Sequence, residues 1–341
     1  MSEIRKDLVK NNWVAVAEDR ALKPNDFPIA KKGLDKTAAA GFCPFCEGNE
    51  EFTPPEITAC RENDSAANTP GWLVRAIPNK FSAFNLQGVL EKTNDGIYTH
   101  YNGLGRHEVV IETPQHGVEF HELDLDRILL IIRVLKQRYN ELATDERIKY
   151  IQIYKNRGLL AGASLEHSHS QIVGLPFVPH ENDGMPEYYL EKGHCLLCDM
   201  MAQEQREQKR VIAQSEYFLL LCPYAPRFPY ETWIVPIKHG EHFGNISEDE
   251  MQDLAKITKT FTTMIMDYLQ APSYNLVVNT APINSKYKAG YHWYLEVTPR
   301  LLVNAAVEIA TGIFLNPVAS EMAAPILKEA LMAAENNECY R

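Results

Sequence analysis

Two long segments of the chain repeat apolar residues at the spacing of an α-helix. They are LDLDRILLIIRVLKQRYNEL (123–142) and SEDEMQDLAKITKTFTTMIMDYL (247–269). Apolar residues three and four positions apart fall on one face of a helix, so each segment predicts a helix that packs on a core. Ser247 and Glu250 open the second segment three residues apart, which predicts a capping box there.

Apolar, β-branched and aromatic runs surround both predicted helices in the same order. A run ending in Pro-x-His or Pro-x-x-His precedes each helix, a run ending near an Asn follows it, and a His-bearing run comes last. The runs are 109–116, 149–156 and 165–176 in the first half, and 232–239, 273–280 and 290–299 in the second.

This internal repeat predicts an α+β fold of two tandem units, each with antiparallel strands and one long helix. We expect an N-terminal catalytic domain over 1–180 and a C-terminal degenerate domain over 181–341. The segment 177–194 between them, PFVPHENDGMPEYYLEKG, is predicted to be a linker.

Composition narrows the class of protein. The 341 residues include 34 Lys and Arg against 45 Asp and Glu, a net charge of −11, and 45% are hydrophobic. This balance favours a globular protein and gives no support for nucleic-acid binding, which needs clustered basic residues. No apolar run is long enough to span a membrane, and the N-terminus lacks the apolar core of a signal peptide, so we expect a cytoplasmic protein without membrane contact.

Four of the seven cysteines form two Cys-x-x-Cys pairs, one in each half. Alone, such a pair is also compatible with core packing or redox chemistry. Because each pair comes with two histidines at repeated positions, we predict two structural zinc sites with four protein ligands each. The predicted ligands are Cys43, Cys46, His116 and His167 in the first half, and Cys195, Cys198, His239 and His292 in the second. For His107, His121, His194 and His242 we predict solvated or locally hydrogen-bonded side chains.

The segment GASLEHSHSQ (162–171) is where we predict the chemistry. Alternation along a strand places His167, His169 and Gln171 on one face. If His167 binds the metal, His169 is a free imidazole that can attack phosphorus and form a covalent intermediate. Gln171 can donate to a phosphoryl oxygen, and Ser164 adds a hydroxyl. The alternatives are that both histidines bind metal or that this is an ordinary polar strand.

The second half helps to weigh these alternatives. Its metal histidine is followed by Tyr294 where the first half has His169. This difference predicts that the first half is catalytic and the second structural.

These residues resemble the galactose-1-phosphate uridylyltransferase family of the histidine-triad superfamily, which is built from two histidine-triad-like units. The resemblance covers nearly the whole chain and rests on CPFC (43–46), ETPQH (112–116), HSHSQ (167–171), CLLC (195–198) and HWYLEVTPRL (292–301). It implies that His169 is the nucleophile and that His167 is a zinc ligand.

The resemblance also implies substrate contacts. Asn79 and Asn156 match residues of the family that contact phosphate and nucleotide, as do Ser164 and Gln171. Arg20 and Lys23 occupy a basic N-terminal stretch that reaches the nucleotide of the partner in a homodimer, and Glu308 matches a residue that contacts the hexose.

Three departures separate this chain from the well-known uridylyltransferases, and the first and third of them resemble the branch of ADP-glucose phosphorylases. HSHSQ replaces the His-Pro-His-Gly-Gln of the well-known uridylyltransferases, Lys23 replaces an arginine, and Val307 replaces the tyrosine before Glu308. In addition, the ligands predicted for the second metal site are all Cys and His residues.

The leading hypothesis is a UDP-glucose:hexose-1-phosphate uridylyltransferase type of nucleotidyltransferase that exchanges a nucleoside monophosphate between a nucleotide sugar and a sugar 1-phosphate. The alternatives are an ADP-glucose phosphorylase that uses inorganic phosphate, a nucleotide-sugar hydrolase, and a silent metal-stabilised binding protein.

Overall fold

A computed structural model describes most of the chain. The described residues are 2–6, 13–17, 42–62, 64–82, 84, 89, 92–95, 98–101, 104–178 and 184–338. Within these ranges, none of the helices combines the length and apolar character needed to cross a bilayer.

The described residues contain fifteen strands and six α-helices. The strands are β1 (Ser2–Lys6), β2 (Trp13–Ala17), β3 (Thr58–Arg61), β4 (Trp72–Pro78), β5 (Lys92–Asp95), β6 (Tyr98–Tyr101), β7 (Arg106–Ile111), β8 (Tyr150–Arg157), β9 (His169–Leu175), β10 (Val211–Gln214), β11 (Phe218–Leu221), β12 (Thr232–Pro236), β13 (Tyr274–Asn279), β14 (Tyr294–Pro299) and β15 (Ile313–Asn316). The helices are α1 (Leu125–Ala143), α2 (Gly184–Lys192), α3 (Leu196–Glu207), α4 (Glu248–Asp267), α5 (Ala306–Thr311) and α6 (Ser320–Glu338).

Ten of the strands form one antiparallel sheet in the order β10-β11-β12-β14-β13-β8-β9-β7-β4-β3. Each half of the chain supplies five neighbouring strands, and the two sets run in mirrored order. β8 and β13 pair at the centre, where Asn156 lies opposite Asn275. The internal repeat therefore forms two tandem α+β units that share one sheet, which confirms the predicted fold class.

The two long helices begin where the sequence predicts. Asp124 accepts a hydrogen bond from the backbone of Arg127 at the start of α1, and Ser247 forms the predicted capping box with Glu250 at the start of α4. The helices contact each other and cover one face of the sheet, with Phe261 fully buried between them and the strands. The helical periodicity thus predicted both the elements and the buried face.

The side chains on the other face of the sheet pack in clusters of their own, apart from α1 and α4. In β7, Val110 joins the core beside the helices, whereas Val109 and Ile111 belong to a smaller cluster that includes Cys43 and Phe45. Successive side chains of a strand point to opposite faces, so the sheet separates two environments. The Cys/His residues and His169 lie on the face away from the helices.

One prediction about connections is wrong. The predicted linker 177–194 contains the helix α2, and Met185 in that helix is buried with α3 and the second sheet half. Met185, Tyr188 and Tyr189 follow helical spacing, and the packing of the buried Met185 beside the two half-buried tyrosines stabilises the helix despite the flanking Gly and Pro residues. The domain boundary between residues 180 and 181 stays a prediction.

The His-bearing strands are shorter than predicted. β9 begins at His169 and β14 at Tyr294, so His167 and His292 lie just before their strands. His116 and His239 likewise follow the ends of β7 and β12. Strand ends are where the backbone can turn side chains toward one another.

Candidate active site and metal centres

The first Cys/His group is assembled from three separate parts of the chain. Cys43 and Cys46 lie in one turn, with the amide of Cys46 donating to the carbonyl of Cys43 at 3.3 Å. His116 and His167 join them, and one ligand atom from each residue falls within 4.8 Å of the others. The structure brings together the four residues that the spacing predicted for the N-terminal unit.

Hydrogen bonding orients the ring of His167 toward the thiols. Its Nε2 lies 2.7 Å from the carbonyl oxygen of Thr113, which can only accept, so this nitrogen carries the proton. Its Nδ1 then has the lone pair and lies 3.6 Å from Cys43 Sγ and 3.7 Å from Cys46 Sγ. This tautomer is the one that a metal ligand needs.

The thiols of the first group are not both ionised without a cation. Burial, together with the neighbouring Cys43, raises the pKa of Cys46 to about 11. A bound dication stabilises thiolates and removes their protons. Two soft thiolates and two imidazoles fit a tetrahedral metal site, so the residues present suit the group that the sequence predicts.

The second group has the same composition. Cys195, Cys198, His239 and His292 also place their ligand atoms within 4.8 Å of one another. The Nδ1 atoms of His239 and His292 each lie 3.5 Å from Cys198 Sγ. The hydrogen bond between the two thiols lowers the pKa of Cys195 and raises that of Cys198, so Cys198 keeps its proton until a cation displaces it. His194 directly precedes Cys195 in the sequence, but its ring pairs with Asp199 at the surface and does not join the Cys/His group.

His169 has the opposite tautomer from His167. Its Nδ1 lies 2.7 Å from the backbone carbonyl of His167, so Nδ1 donates and Nε2 keeps a free lone pair. The residue is 6% exposed. Burial lowers the pKa of His169, and Lys155 acts in the same direction, so the imidazole is neutral at pH 7. A neutral, oriented imidazole with a free nitrogen is suited to nucleophilic attack.

His169 lines a cleft on the face of the sheet away from the helices. Asn79, Ser164 and Gln171 line the same cleft, so four residues predicted from sequence meet there. The cleft holds a cavity of about 120 Å³ and is open to solvent on one side. Much of its wall is apolar and includes Phe45, Phe52, Ile77, Pro78, Phe81 and Val109. Polar groups converging beside an apolar wall suit a ligand with a phosphate and a planar base.

Gln171 is oriented by residues that the sequence prediction missed. Its Oε1 accepts from His107 Nε2 at 2.7 Å and from the hydroxyl of Tyr154 at 3.2 Å. The amide nitrogen is therefore left to donate toward the cleft. Asn79 Nδ2 also lies 3.2 Å from His107 Nε2. The prediction of a solvated or locally bonded His107 is wrong, because its partners come from other strands.

The remaining predicted residues lie elsewhere. Asn156 accepts from Asn275 at 2.8 Å, at the junction of the two units. Glu308 lies on α5, where its carboxylate accepts from the backbone amides of Ala305 and Leu315. It is not among the described residues that line the cleft, and its contact with a hexose stays a prediction. Arg20 and Lys23 lie outside the described residues.

Gly158 shapes the turn that leads from β8 toward the cleft. Its φ of +79° lies in the left-handed region, and an added Cβ would lie 2.3 Å from the hydroxyl oxygen of Ser273 and 2.5 Å from the carbonyl of Pro272. Only glycine fits such a close backbone approach. The turn then carries Ser164 to the cleft.

Comparison with known proteins places this architecture in a family. The family model described as galactose-1-phosphate uridyl transferase, N-terminal domain, matches residues 2–179, and the corresponding C-terminal domain matches residues 181–332. The chain belongs to the galactose-1-phosphate uridylyltransferase family.

Individual relatives carry two different names. An ADP-glucose phosphorylase of Arabidopsis thaliana is 35% identical over 335 residues, which cover 96% of this chain and 92% of the relative. A galactose-1-phosphate uridylyltransferase of Thermotoga maritima is 33% identical over 234 residues, 65% of this chain and 73% of the relative. A crystal structure of an Arabidopsis thaliana ADP-glucose phosphorylase with bound ADP-glucose superimposes with a TM-score of 0.79 at 33% identity, covering 96% of this chain and 98% of that one. These relatives support a nucleotidyltransferase or phosphorylase activity.

Proposed function

We propose that this chain transfers an adenylyl group from a nucleoside diphosphate sugar to inorganic phosphate through a covalent intermediate on His169. The observation that carries the proposal is the hydrogen bond from His169 Nδ1 to the carbonyl of His167, because it leaves Nε2 unprotonated in the cleft. Asn79, Ser164 and Gln171 supply polar groups around this nitrogen.

In the first step, Nε2 of His169 attacks the α-phosphorus of the nucleotide sugar. A P–N bond forms, the P–O bond to the β-phosphate breaks, and the sugar 1-phosphate leaves with the bonding electrons. The ring becomes cationic while Nδ1 keeps its proton, and the carbonyl of His167 stabilises that charge. The amide of Gln171 donates to a non-bridging oxygen as negative charge shifts there.

In the second step, an oxygen of inorganic phosphate attacks the same phosphorus. The new P–O bond forms, the P–N bond breaks, and the neutral imidazole returns. The products over both steps are a sugar 1-phosphate and a nucleoside diphosphate. Positioning and charge stabilisation account for most of the catalysis in such transfers, which suits a rigid strand and fixed donors.

The choice of adenine and phosphate rests on the relatives. The ADP-glucose phosphorylase matches this chain over almost its whole length, and HSHSQ (167–171) replaces His-Pro-His-Gly-Gln. A second candidate is uridylyl transfer to a hexose 1-phosphate, which the family and the Thermotoga relative favour.

The proposal includes zinc in both Cys/His groups. Zinc supplies rigidity at these positions, since four protein donors complete a tetrahedral set. In the N-terminal group it would hold His167, whose carbonyl orients His169. The proposal also includes a catalytic domain over 1–180, a degenerate domain over 181–341, and a cytoplasmic homodimer in which Arg20 and Lys23 reach the partner's nucleotide.

The test is to mix the protein separately with ADP-glucose and UDP-glucose, without an acceptor, and to record the intact mass under conditions that preserve acid-labile phosphoramidates. We expect an adenylyl adduct that disappears on addition of inorganic phosphate, with release of ADP. The His169→Ala variant should form no adduct.

Other outcomes separate the alternatives. A uridylyl adduct alone, discharged by a hexose 1-phosphate, would support the second candidate. Steady release of a nucleoside monophosphate without an acceptor would indicate a hydrolase. No adduct with either donor, on a protein that contains its metals, would remove His169 as the nucleophile and favour a binding protein.

A further inference from the structure

A buried ion pair lies directly behind the proposed nucleophile. Ser168 and Ser170 flank His169 and point to the opposite face of the strand, where the helices pack. Ser168 Oγ donates to Glu112 Oε2 at 2.6 Å, and Ser170 Oγ donates to Glu112 Oε1 at 2.6 Å. One planar carboxylate therefore holds the residues on both sides of His169.

Lys155 completes the network from the neighbouring strand. Its Nζ lies 2.6 Å from Glu112 Oε2, 2.9 Å from Ser168 Oγ and 3.3 Å from the carbonyl oxygen of His169. An ammonium group has three donors, and here each has an acceptor. Glu112 also donates its backbone amide to the carbonyl of Ser168. All four side chains are buried, so the network is shielded from water.

The stability of the fold does not explain this arrangement. Burying an ion pair costs desolvation that often equals the attraction it gains, and apolar residues of similar size are frequently as stable. The C-terminal unit shows that apolar residues suffice in this architecture. By the strand pairing of the two units, the positions that match Glu112, Lys155, Ser168 and Ser170 are occupied by Pro236, Val278, Trp293 and Leu295.

Those apolar residues are buried, and Val278, Trp293 and Leu295 belong to the core beneath the helices. The polar network therefore accompanies the unit that has His169 and is missing from the unit that has Tyr294.

We infer that Glu112, Lys155, Ser168 and Ser170 are positioning residues that orient His169 for attack on phosphorus. They touch the strand and not the substrate, because their side chains lie on the face away from the cleft. Holding both neighbours of His169 and its carbonyl restricts the peptide planes that set the direction of the imidazole. This inference rests on the proposed function of His169.

The test uses Ser170→Ala and Ser168→Ala, which leave the ion pair of Lys155 and Glu112 in place. Ser170→Ala removes one donor to Glu112, whereas Ser168→Ala removes a donor to Glu112 and an acceptor of Lys155. In single-turnover adduct formation with ADP-glucose, the limiting rate and the half-saturating concentration are measured separately. Since misplacement by about 1 Å can cost about 100-fold, we expect each variant to lower the limiting rate by about 10- to 100-fold. The half-saturating concentration and the zinc content should match the wild-type protein.

Ser320→Ala is the matched control. Ser320 is fully buried in the C-terminal unit, and its hydroxyl donates to the carbonyl of Pro223. This variant loses a buried hydroxyl without touching the network, so we expect a lowered melting temperature and a wild-type limiting rate.

Wild-type limiting rates in Ser168→Ala and Ser170→Ala would overturn the inference. So would a slower rate accompanied by an equal loss of zinc or a raised half-saturating concentration, because a general structural defect produces those changes. If the wild-type protein itself forms no adduct on His169, the proposed function has failed. If it forms the adduct and the two serine variants form it at the same rate, only the inference about positioning has failed.

Discussion

The N-terminal and C-terminal units share their strand order, one long helix and a four-residue Cys/His group, yet they differ on both faces of one strand. β9 of the N-terminal unit has His169 and Gln171 toward the cleft, where β14 of the C-terminal unit has Tyr294 and Glu296. The polar network behind β9 has apolar counterparts in the second unit. The shared parts build the scaffold, and a few substitutions along one strand distinguish the unit that we propose to be catalytic from the other.

The two Cys/His groups differ in the support given to their last histidine. His167 Nε2 donates to the carbonyl of Thr113, whereas His292 Nε2 has no hydrogen-bond partner among the residues that the structure describes. Partners of this kind fix the tautomer and ring direction of a metal ligand. In the N-terminal unit the same histidine also presents its carbonyl to His169, so the orientation of His167 has a consequence beyond the metal.

The largest contrast is expected between His169→Ala and Tyr294→Phe. Without a nucleophile we expect no adduct and a turnover lowered by about 10³-fold or more. Tyr294 lies in the core of the C-terminal unit beside Trp233, so Tyr294→Phe should keep the wild-type turnover. Measured turnover with ADP-glucose and phosphate, together with intact mass, checks both. Loss of turnover in the tyrosine variant would mean that the second unit takes part in the chemistry.

Gln171 and Glu296 should separate activity from stability. Gln171→Ala removes a donor to the developing charge and should lower the limiting rate by about 10²- to 10³-fold. Glu296 accepts from Arg227, Asn279 and Thr298 in the second unit. Glu296→Gln should lower the free energy of unfolding by about 1 to 3 kcal/mol, because buried donors lose a charged partner. Denaturant unfolding and single-turnover rates on both variants test this separation. A wild-type rate in Gln171→Ala together with a lowered rate in Glu296→Gln would contradict it.

Cys46→Ser and Cys198→Ser compare the two Cys/His groups. We expect each variant to lose one metal per chain by elemental analysis and to melt at a lower temperature, since metal binding contributes directly to folding. Loss of the metal from the N-terminal group should also lower the limiting rate of adduct formation by about 10- to 100-fold, because His167 then no longer holds His169 in place. The C-terminal variant should keep the wild-type rate per folded molecule. Equal rates in the two variants would disprove the coupling of the first group to His169.

The smallest effects are expected at the two helix caps, where the units are alike. Asp124→Ala and Ser247→Ala each remove the side-chain acceptor at the start of a long helix. Each should lower the free energy of unfolding by about 1 kcal/mol and leave the rate of adduct formation unchanged. A change in that rate from Asp124→Ala alone would mean that α1 transmits strain to β9.

Much of the candidate site could be predicted because its signals are local or repeated. Two thiols in one turn and histidines at matching places in two halves predict the Cys/His groups without any knowledge of distance. The linker prediction was wrong because its signal is neither strong locally nor repeated. The helix α2 is short, and the burial of Met185 against the second unit stabilises it despite the flanking Gly and Pro residues.

Contacts between strands were harder to predict. Glu112 and Lys155 stand out as charges within apolar runs, which is a signal, but their pairing depends on the register of three strands. His107 gives no signal of its own, because it reaches Gln171 only through the pairing of β7 with β9.

The sequence by itself determined the two-unit plan, the long helices and the identity of the Cys/His residues, since periodicity and spacing act within short windows or repeat along the chain. Only the tertiary structure decided that β8 and β13 join the units into one sheet, that His107 and Tyr154 orient Gln171, and that a buried ion pair lies behind His169. These features arise when residues far apart in the chain are paired in one register, and a shift of one residue would send every side chain of a strand to the other face.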